Sequence, residues 1–301
     1  MTHSQRPMFA LMLRIAAVAC ISTLLMLVKC AGQTGIALPE IMFWRQAIPA
    51  AALFGWLAAN GRVSDLKTDR IFSHAGRAAS GMFGMLCNFA ASLLLPLAEA
   101  TTLGFTTPLF AVIFSALILR LPIGHWRWGA VALGFMGVLV IAQPSGEPIS
   151  ALGAAAGLGS GLMVAMISFQ IKDLARTDPA TRVVFYFALF GALLMLPMLP
   201  HFMTPHSPFQ WLLILGLGIS GLTGQLLITA SLRHGAVASV IVMDYTALIW
   251  ATGYGWLIWD KLPPVTTWLG APLIVAAGLI VAWRESRIGR SISPSAAIEG
   301  D

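Results

Sequence analysis

The sequence predicts an all-α polytopic membrane protein: ten transmembrane helices built as two inverted five-helix repeats, with the N and C termini cytosolic. Three observations carry this. The 301 residues are 58% hydrophobic and only 10% charged, with a mean hydropathy of +0.83, whereas a soluble domain carries about 25% charged residues. So few charges cannot cover a water-facing surface, and lipid is the implied solvent. The apolar residues also gather into ten runs of spanning length, and one long block of the chain occurs twice.

In order, the runs are 8–28, 41–58, 78–97, 99–119, 126–143, 151–171, 182–199, 209–231, 236–258 and 265–283. Each approaches the roughly 20 apolar residues that a hydrocarbon core requires of a helix. They are too long for strands and lack the alternation of a membrane barrel. The first run follows Arg6, as a signal peptide would. It exceeds an h-region of about 7–15 residues and no small-residue cleavage site follows, so it is read as the first membrane helix. Residues 284–301 are polar, rich in Ser with Gly and Pro, and are expected to be a disordered cytosolic tail.

Basic residues orient the layout. With the N-terminus in the cytosol, 14 of the 18 Lys and Arg fall in cytosolic segments. Only Lys29 and Lys261 lie outside, while Arg14 and Arg45 lie within spans. The opposite orientation would invert the positive-inside rule at nearly every loop.

The duplication begins at Ser80, Gly81 and Gly84, which return as Ser220, Gly221 and Gly224 after a shift of 140 residues. Leu86 matches Leu226, Ala90 matches Ala230 and Thr106 matches Thr246 at the same shift. After one inserted residue, Leu121 and Pro122 fall on Leu262 and Pro263, Gly129 on Gly270 and Gly137 on Gly278. A near-constant offset over two long blocks divides the chain into repeats 8–143 and 151–283. Five helices are an odd number, so the second copy enters the membrane from the opposite face. Inverted repeats are the usual build of secondary transporters, with the site near the midplane between the halves. Two similar halves in opposite orientation can exchange conformations, opening a cavity to one side and then the other.

Other classes fit less well. A membrane-embedded lipid-modifying enzyme would need a reactive centre, yet there is no HExxH, no GxSxG and no histidine at the midplane. Asp244 stands alone rather than as one of a pair. A channel is disfavoured by the repeat, and no phosphate-binding loop is present for direct use of ATP. The net charge of +6 flanks the spans and forms no patch for nucleic acid. Cys20, Cys30 and Cys87 give neither a disulfide framework nor a CxxC pair. No cofactor or metal is expected; the expected partners are a small-molecule substrate and the bilayer, around a monomer.

The second copy carries Trp259, Asp260, Lys261, Leu262 and Pro263 between two helices, followed by Gly270 and Gly278. The first carries Leu119, Arg120, Leu121 and Pro122, followed by Gly129 and Gly137, with Leu119 in the place of the acid. With an arginine in the second helix, at Arg45, this pattern resembles the drug/metabolite transporter superfamily and its EamA-type ten-helix exporters over residues 8–285. The resemblance implies an exporter of amino acids or other metabolites in the bacterial inner membrane, not an enzyme. It is closest to the bacterial exporters of aromatic amino acids, with a multidrug or other metabolite exporter of the same fold as the alternative.

Candidate site residues follow from polarity inside spans. Asp244 lies on the order of 12 Å deep at 1.5 Å of rise per residue. A carboxylate there faces a wet cavity or a partner: it binds a substrate amine, carries a coupling proton, or closes a structural ion pair. Tyr245, beside it, stacks on a ligand or simply packs. Ser80, Gly84, Asn88 and Ser92 share one helical face. That face lines a polar cavity with Asn88 touching ligand, or lets two helices approach closely. Gln225 is a cavity candidate within a glycine-rich stretch containing Gly221 and Gly224. Arg45, near the outer edge of its span, fixes a carboxylate or snorkels to the interface, and Arg14 snorkels or serves structure. Thr106, Thr107 and Pro108 predict a kink whose freed carbonyls the hydroxyls take. The expected substrate contacts are therefore Asp244, Tyr245, Asn88, Arg45 and Gln225. The expected hinge or gate residues are Pro108, Thr106, Gly84 and Gly224.

Overall fold

The computed structural model describes residues 7–117, 124–142, 150–174, 177–234 and 242–291, and among these there is no strand. Prolines and glycines set most of the helix ends. Helix α1 (Pro7–Gln33) leads to α2 (Leu38–Ala59), which carries Pro39 in its first turn, where a missing N–H costs nothing. The α2 helix gives way to Gly61 at φ 65°, a conformation glycine adopts freely. Helix α3 (Ile71–Leu94) stops because Leu95 precedes Pro96; Leu95 is extended at φ −119° and ψ 159°, as a following proline imposes.

The fourth run is broken. Helices α4 (Leu97–Gly104) and α5 (Thr107–Leu117) meet at Phe105 and Thr106. Pro108 has no N–H for the carbonyl of Gly104. The Thr107 hydroxyl donates to that carbonyl at 2.9 Å, and the Thr106 hydroxyl donates to Leu103 O at 2.6 Å.

Next come α6 (His125–Ala142), α7 (Ala151–Leu174), α8 (Ala180–Met195) after Pro179, and the short α9 (Leu199–Phe202). Helix α10 (Pro208–His234) follows. A 3-10 turn, Val242–Thr246, leads into α11 (Ala247–Trp259), which ends at Asp260 in the left-handed region. The last helix is α12 (Val265–Ser291). Two expected boundaries are corrected. Helix α3 begins at Ile71 rather than at residue 78, so Arg77 is helical. Helix α12 continues through Ser291, so the expected tail at 284–301 is helical in its first part; 292–301 lie outside the described residues, as do Leu119, Arg120, Leu121 and Pro122 and the start of the ninth run.

Among the described residues six stretches are long and apolar enough to cross a membrane: Met8–Gln33, Leu97–Leu117, Ala151–Ile171, Ala180–Phe202, Pro208–Ile228 and Val265–Trp283. The shorter His125–Ile141 is also apolar. Large apolar side chains such as Phe72, Ile249, Trp256 and Leu257 point outward, as lipid rather than water requires. The molecule is an all-helical, polytopic membrane protein.

Helices pack in pairs: α1 along α10, α3 along α7, α2 against α8 and α6 along α12. Lipid supplies no hydrophobic drive between helices, so small residues that allow close approach decide the seams. A Cβ added at Gly84 would stand 3.1 Å from Ile167 and Met163 of α7, and one at Gly224 would stand 2.7 Å from Ile21 of α1. Between α6 and α12 the contact is reciprocal. A Cβ at Gly137 would stand 2.7 Å from Gly270 O, and a Cβ at Gly270 would stand 2.6 Å from Gly137 O. One apolar cluster, including Val28, Ile41, Met82 and Ile214, joins α1, α2, α3, α8 and α10. Two others, including Leu103 with Ile274 and Leu109 with Ala277, join α4, α5, α6 and α12.

Candidate functional site

The interior of the bundle holds charges that lipid cannot solvate. Arg45 in α2 and Arg77 in α3 are 6% and 8% exposed. Both lie over the ring of Phe187 in α8, with guanidinium carbons 5.7 and 3.9 Å from its centroid. Such cation–π contact favours the flat face of a guanidinium. Arg45 Nη1 donates to Gln46 Oε1, and Gln46 Nε2 donates to Phe187 O at 3.0 Å, tying α2 to α8. Of the two readings for Arg45, snorkelling is not met, because its side chain is buried in the bundle. Arg77 escaped the sequence reading because the apolar run began one residue after it; its helical burial was the signal that run-counting could not register.

A second charged group joins α1 to the turn ahead of α11. Arg14 donates from Nε to Asp244 Oδ1 at 2.6 Å and from Nη2 to Asp244 Oδ2 at 2.5 Å. Of the readings open for Asp244 the structure has the ion pair between segments, and of the two for Arg14 it has the structural one. Tyr245 packs edge-on against Phe105, centroids 5.1 Å apart. Its hydroxyl occupies the space that a side chain at Gly278 of α12 would fill. Two to three turns further along α1, Thr23 and Tyr254 of α11 share a hydrogen bond of 2.7 Å.

The polar stripe of α3 faces α7. Asn88 Nδ2 donates to Ser160 Oγ at 3.0 Å, Gln170 Nε2 donates to Ser80 Oγ at 3.2 Å, and Gly84 lies between them. Gly84 and Gly224 both sit inside unbroken helices at close seams, whereas Thr106 and Pro108 sit at the break between α4 and α5. Gln225 is half-buried in α10. The structure thus brings Asp244 and Tyr245 together on α11's approach, and places Arg45, Asn88 and Gln225 on three separate helices.

Each end of the bundle carries a histidine–carboxylate contact between segments far apart in sequence. At one, Asp178 ahead of α8 accepts from Arg182 Nη1 at 2.5 Å and lies 3.1 Å from His74 Nε2. Burial raises the Asp178 carboxyl, but the bonds from Arg182 and His74 outweigh it and hold the group below the usual carboxylate range. Burial pushes His74 down, against the opposing bond to Asp178. At the other end Glu40 pairs with His206, and Trp44 Nε1 donates to Glu40 Oε1 at 3.2 Å. This end also holds a cavity of about 260 Å³ lined by Lys29, Gln33, Pro96, Trp259 and Lys261. Lys29 Nζ donates to Leu95 O and, at 2.9 Å, to Ser92 O, the carbonyl that Pro96 cannot serve. Among the described residues no three His, Cys, Asp or Glu gather as metal ligands.

A multi-pass helical bundle with ionised groups sealed between its helices has the build of a membrane transporter. The chain belongs to the EamA-like transporter family, which it matches twice, over residues 8–143 and 151–283. It is similar to the pseudopaline exporter CntI of Pseudomonas aeruginosa, 29% identical over 239 residues, 79% of this chain and 84% of that one. The riboflavin transporter of Vibrio cholerae is 29% identical over 266 residues, 87% of this chain and 89% of its own. The S-adenosylmethionine uptake transporter of Rickettsia prowazekii is 25% identical over 253 residues, 82% and 84% respectively. A solved crystal structure with 22% identity shares the fold at a TM-score of 0.63, over 94% of this chain and 99% of that one. The protein is a metabolite transporter of the drug/metabolite superfamily, not an enzyme, and multi-pass, in bacteria a protein of the inner membrane.

Proposed function

We propose that the protein is a secondary transporter exporting amino acids, aromatic ones first, and related small metabolites by alternating access. Ten membrane helices form two inverted five-helix repeats, 8–143 and 151–283, with both termini cytosolic. The observation that carries the substrate reading is Arg45, a guanidinium sealed in the bundle against the ring of Phe187. A carboxylate and an aromatic ring find their complements side by side there. The inverted arrangement is supported by the packing. Helix α1 lies on α10 as α7 lies on α3, and α2 on α8, each pair joining the two halves at corresponding places.

In this reading Arg45 takes the carboxylate, while Asn88, Gln225 and Tyr245 orient the substrate. Asp244 meets the ammonium when it leaves Arg14, so its ion pair is the gate on that side. The break at Thr106 and Pro108 is the hinge, and Gly84 and Gly224 are the seams along which the halves slide. The relatives that carry pseudopaline, riboflavin and S-adenosylmethionine favour a second reading, another metabolite carried by the same fold.

The test is counterflow of labelled Phe and Trp in proteoliposomes, with and without a pH gradient. Saturable exchange competed by other aromatics is expected, and the Asp244→Asn variant is expected to lose flux or its pH response. No exchange of any amino acid by folded, inserted protein would overturn the amino-acid assignment, and unchanged transport by Asp244→Asn would remove its role.

A further inference from the structure

We propose that Arg45 and Arg77 together form an anion subsite, one that receives a carboxylate or phosphate group of a transported organic anion. This rests on the transporter reading and narrows its substrate class. Both guanidiniums are more than nine-tenths buried. Arg45 Nε and Arg77 Nε and Nη1 are enclosed with no hydrogen-bond acceptor. Among the described residues every ion pair within 4.0 Å involves other cations, so neither arginine has a carboxylate partner. Two like charges buried without a counter-ion are costly. Phe187 covers guanidinium faces and makes no use of N–H edges, which suit the planar fork of a carboxylate or a phosphate.

The duplicated glycines fit the same picture. A Cβ at Gly81 would stand 2.6 Å from Arg77 Nη1 and from Phe187 Cε2. Its counterpart 140 residues on, Gly221, would place a Cβ 3.4 Å from Arg45 Nε. Gly81 therefore leaves the room that Arg77 and Phe187 fill, while Gly221 lies within ordinary contact distance of Arg45. Two cations with no acid favour a group of up to two negative charges and reject neutral esters and cations.

The experiment uses the purified full-length protein in detergent, with phenylpyruvate, its methyl ester, citrate and inorganic phosphate as probes. Phenylpyruvate or citrate is expected to raise the melting temperature saturably, and the ester is not. Arg45→Gln and Arg77→Gln are each expected to weaken that binding about tenfold or more, the loss of one charge-assisted contact. Equal response to acid and ester, or unchanged binding by both variants, would overturn the subsite. Where a variant does not elute as folded protein, the acid–ester comparison on wild type decides. Gly81→Ala, whose methyl would stand 2.6 Å from Arg77 Nη1 and so crowds it without removing charge, is then expected to weaken binding. Nanodiscs of phosphatidylglycerol against phosphatidylcholine separate a lipid phosphate from a solute, and stabilisation by phosphatidylglycerol alone would overturn the substrate assignment. Exchange of neutral metabolites without preference for anions would remove the subsite and leave the transporter reading. Anion binding without flux of any solute would do the reverse.

Discussion

Arg14 holds both carboxylate oxygens of Asp244, at 2.6 and 2.5 Å, across 230 positions of sequence. The pair pins the turn ahead of α11 to α1 and leaves the Asp244 side chain 37% exposed. The pair is thus open on the Asp244 side and closed on the Arg14 side, whose side chain is 10% exposed.

Breaking it from either end strands a charge. Asp244→Asn or Arg14→Gln is expected to cost about 1–3 kcal/mol, less than the ~3–5 of a fully buried pair because Asp244 is partly open. The double variant is expected to lose less than the two single losses combined. Thermal unfolding followed by tryptophan fluorescence checks this, and strict additivity would count against a direct coupling.

Tyr245 and Gly278 exclude one another sterically. Gly278→Ala is expected to displace Tyr245 and destabilise the protein by about 1–3 kcal/mol, the usual cost of overpacking. Tyr245→Phe removes the overlapping oxygen and leaves a ring carbon 3.0 Å from the new methyl. It is expected to restore most of the loss, as melting temperatures of the four proteins would show.

The His74–Asp178 contact gives a pH dependence of known sign. His74 titrates lower in the fold than in the unfolded chain, near 6.5. Its contribution is present above about pH 6.5 and declines as pH falls toward its folded value. Asp178, also depressed, contributes above about pH 4, and that contribution is lost as pH falls through its folded value. His74→Gln is therefore expected to flatten the melting temperature just below pH 6.5. Asp178→Asn is expected to lower it by a constant amount near neutrality, with the difference shrinking below about pH 4. A wild-type profile flat from pH 7 down to 3 would contradict both assignments.

Close approach of α6 and α12 depends on two missing side chains. Gly137→Ala or Gly270→Ala would drive a methyl into the other glycine's carbonyl oxygen, at 2.7 or 2.6 Å. Each is expected to cost about 1–3 kcal/mol, read as a lower melting temperature in detergent, with wild-type stability as the outcome that would refute the contact.

The sequence made the spans readable because their apolar runs are long, but not their ends: the run 78–97 passes through Pro96, where α3 stops at Leu94, and the run at 182 starts after Pro179 has already set the start of α8. The stripe through Ser80, Gly84 and Asn88 was readable as a face, but not as to what it met; only the fold shows α7 there. Arg77 falls just outside the run that starts at residue 78 because hydropathy ends a span at its first charge, while a helix ends where its hydrogen bonds do. The pairing of Arg14 with Asp244 was beyond reach for a related reason. Each residue was recognisable as a charge out of place, but nothing local in either helix names a partner 230 positions away.

The two glycine contacts differ in what a second mutation can repair. An intruding methyl at Gly278 meets a side chain, and a side chain can be trimmed. At Gly137 and Gly270 the methyl meets Ile274 or Ile141 and also the other glycine's carbonyl oxygen, so trimming the isoleucine still leaves a clash with backbone. Genetic suppressors of an alanine at that crossing therefore cannot arise in the facing residue. They must come from changes elsewhere that move a whole helix, so a suppressor screen started there would map what else holds α6 and α12 in register.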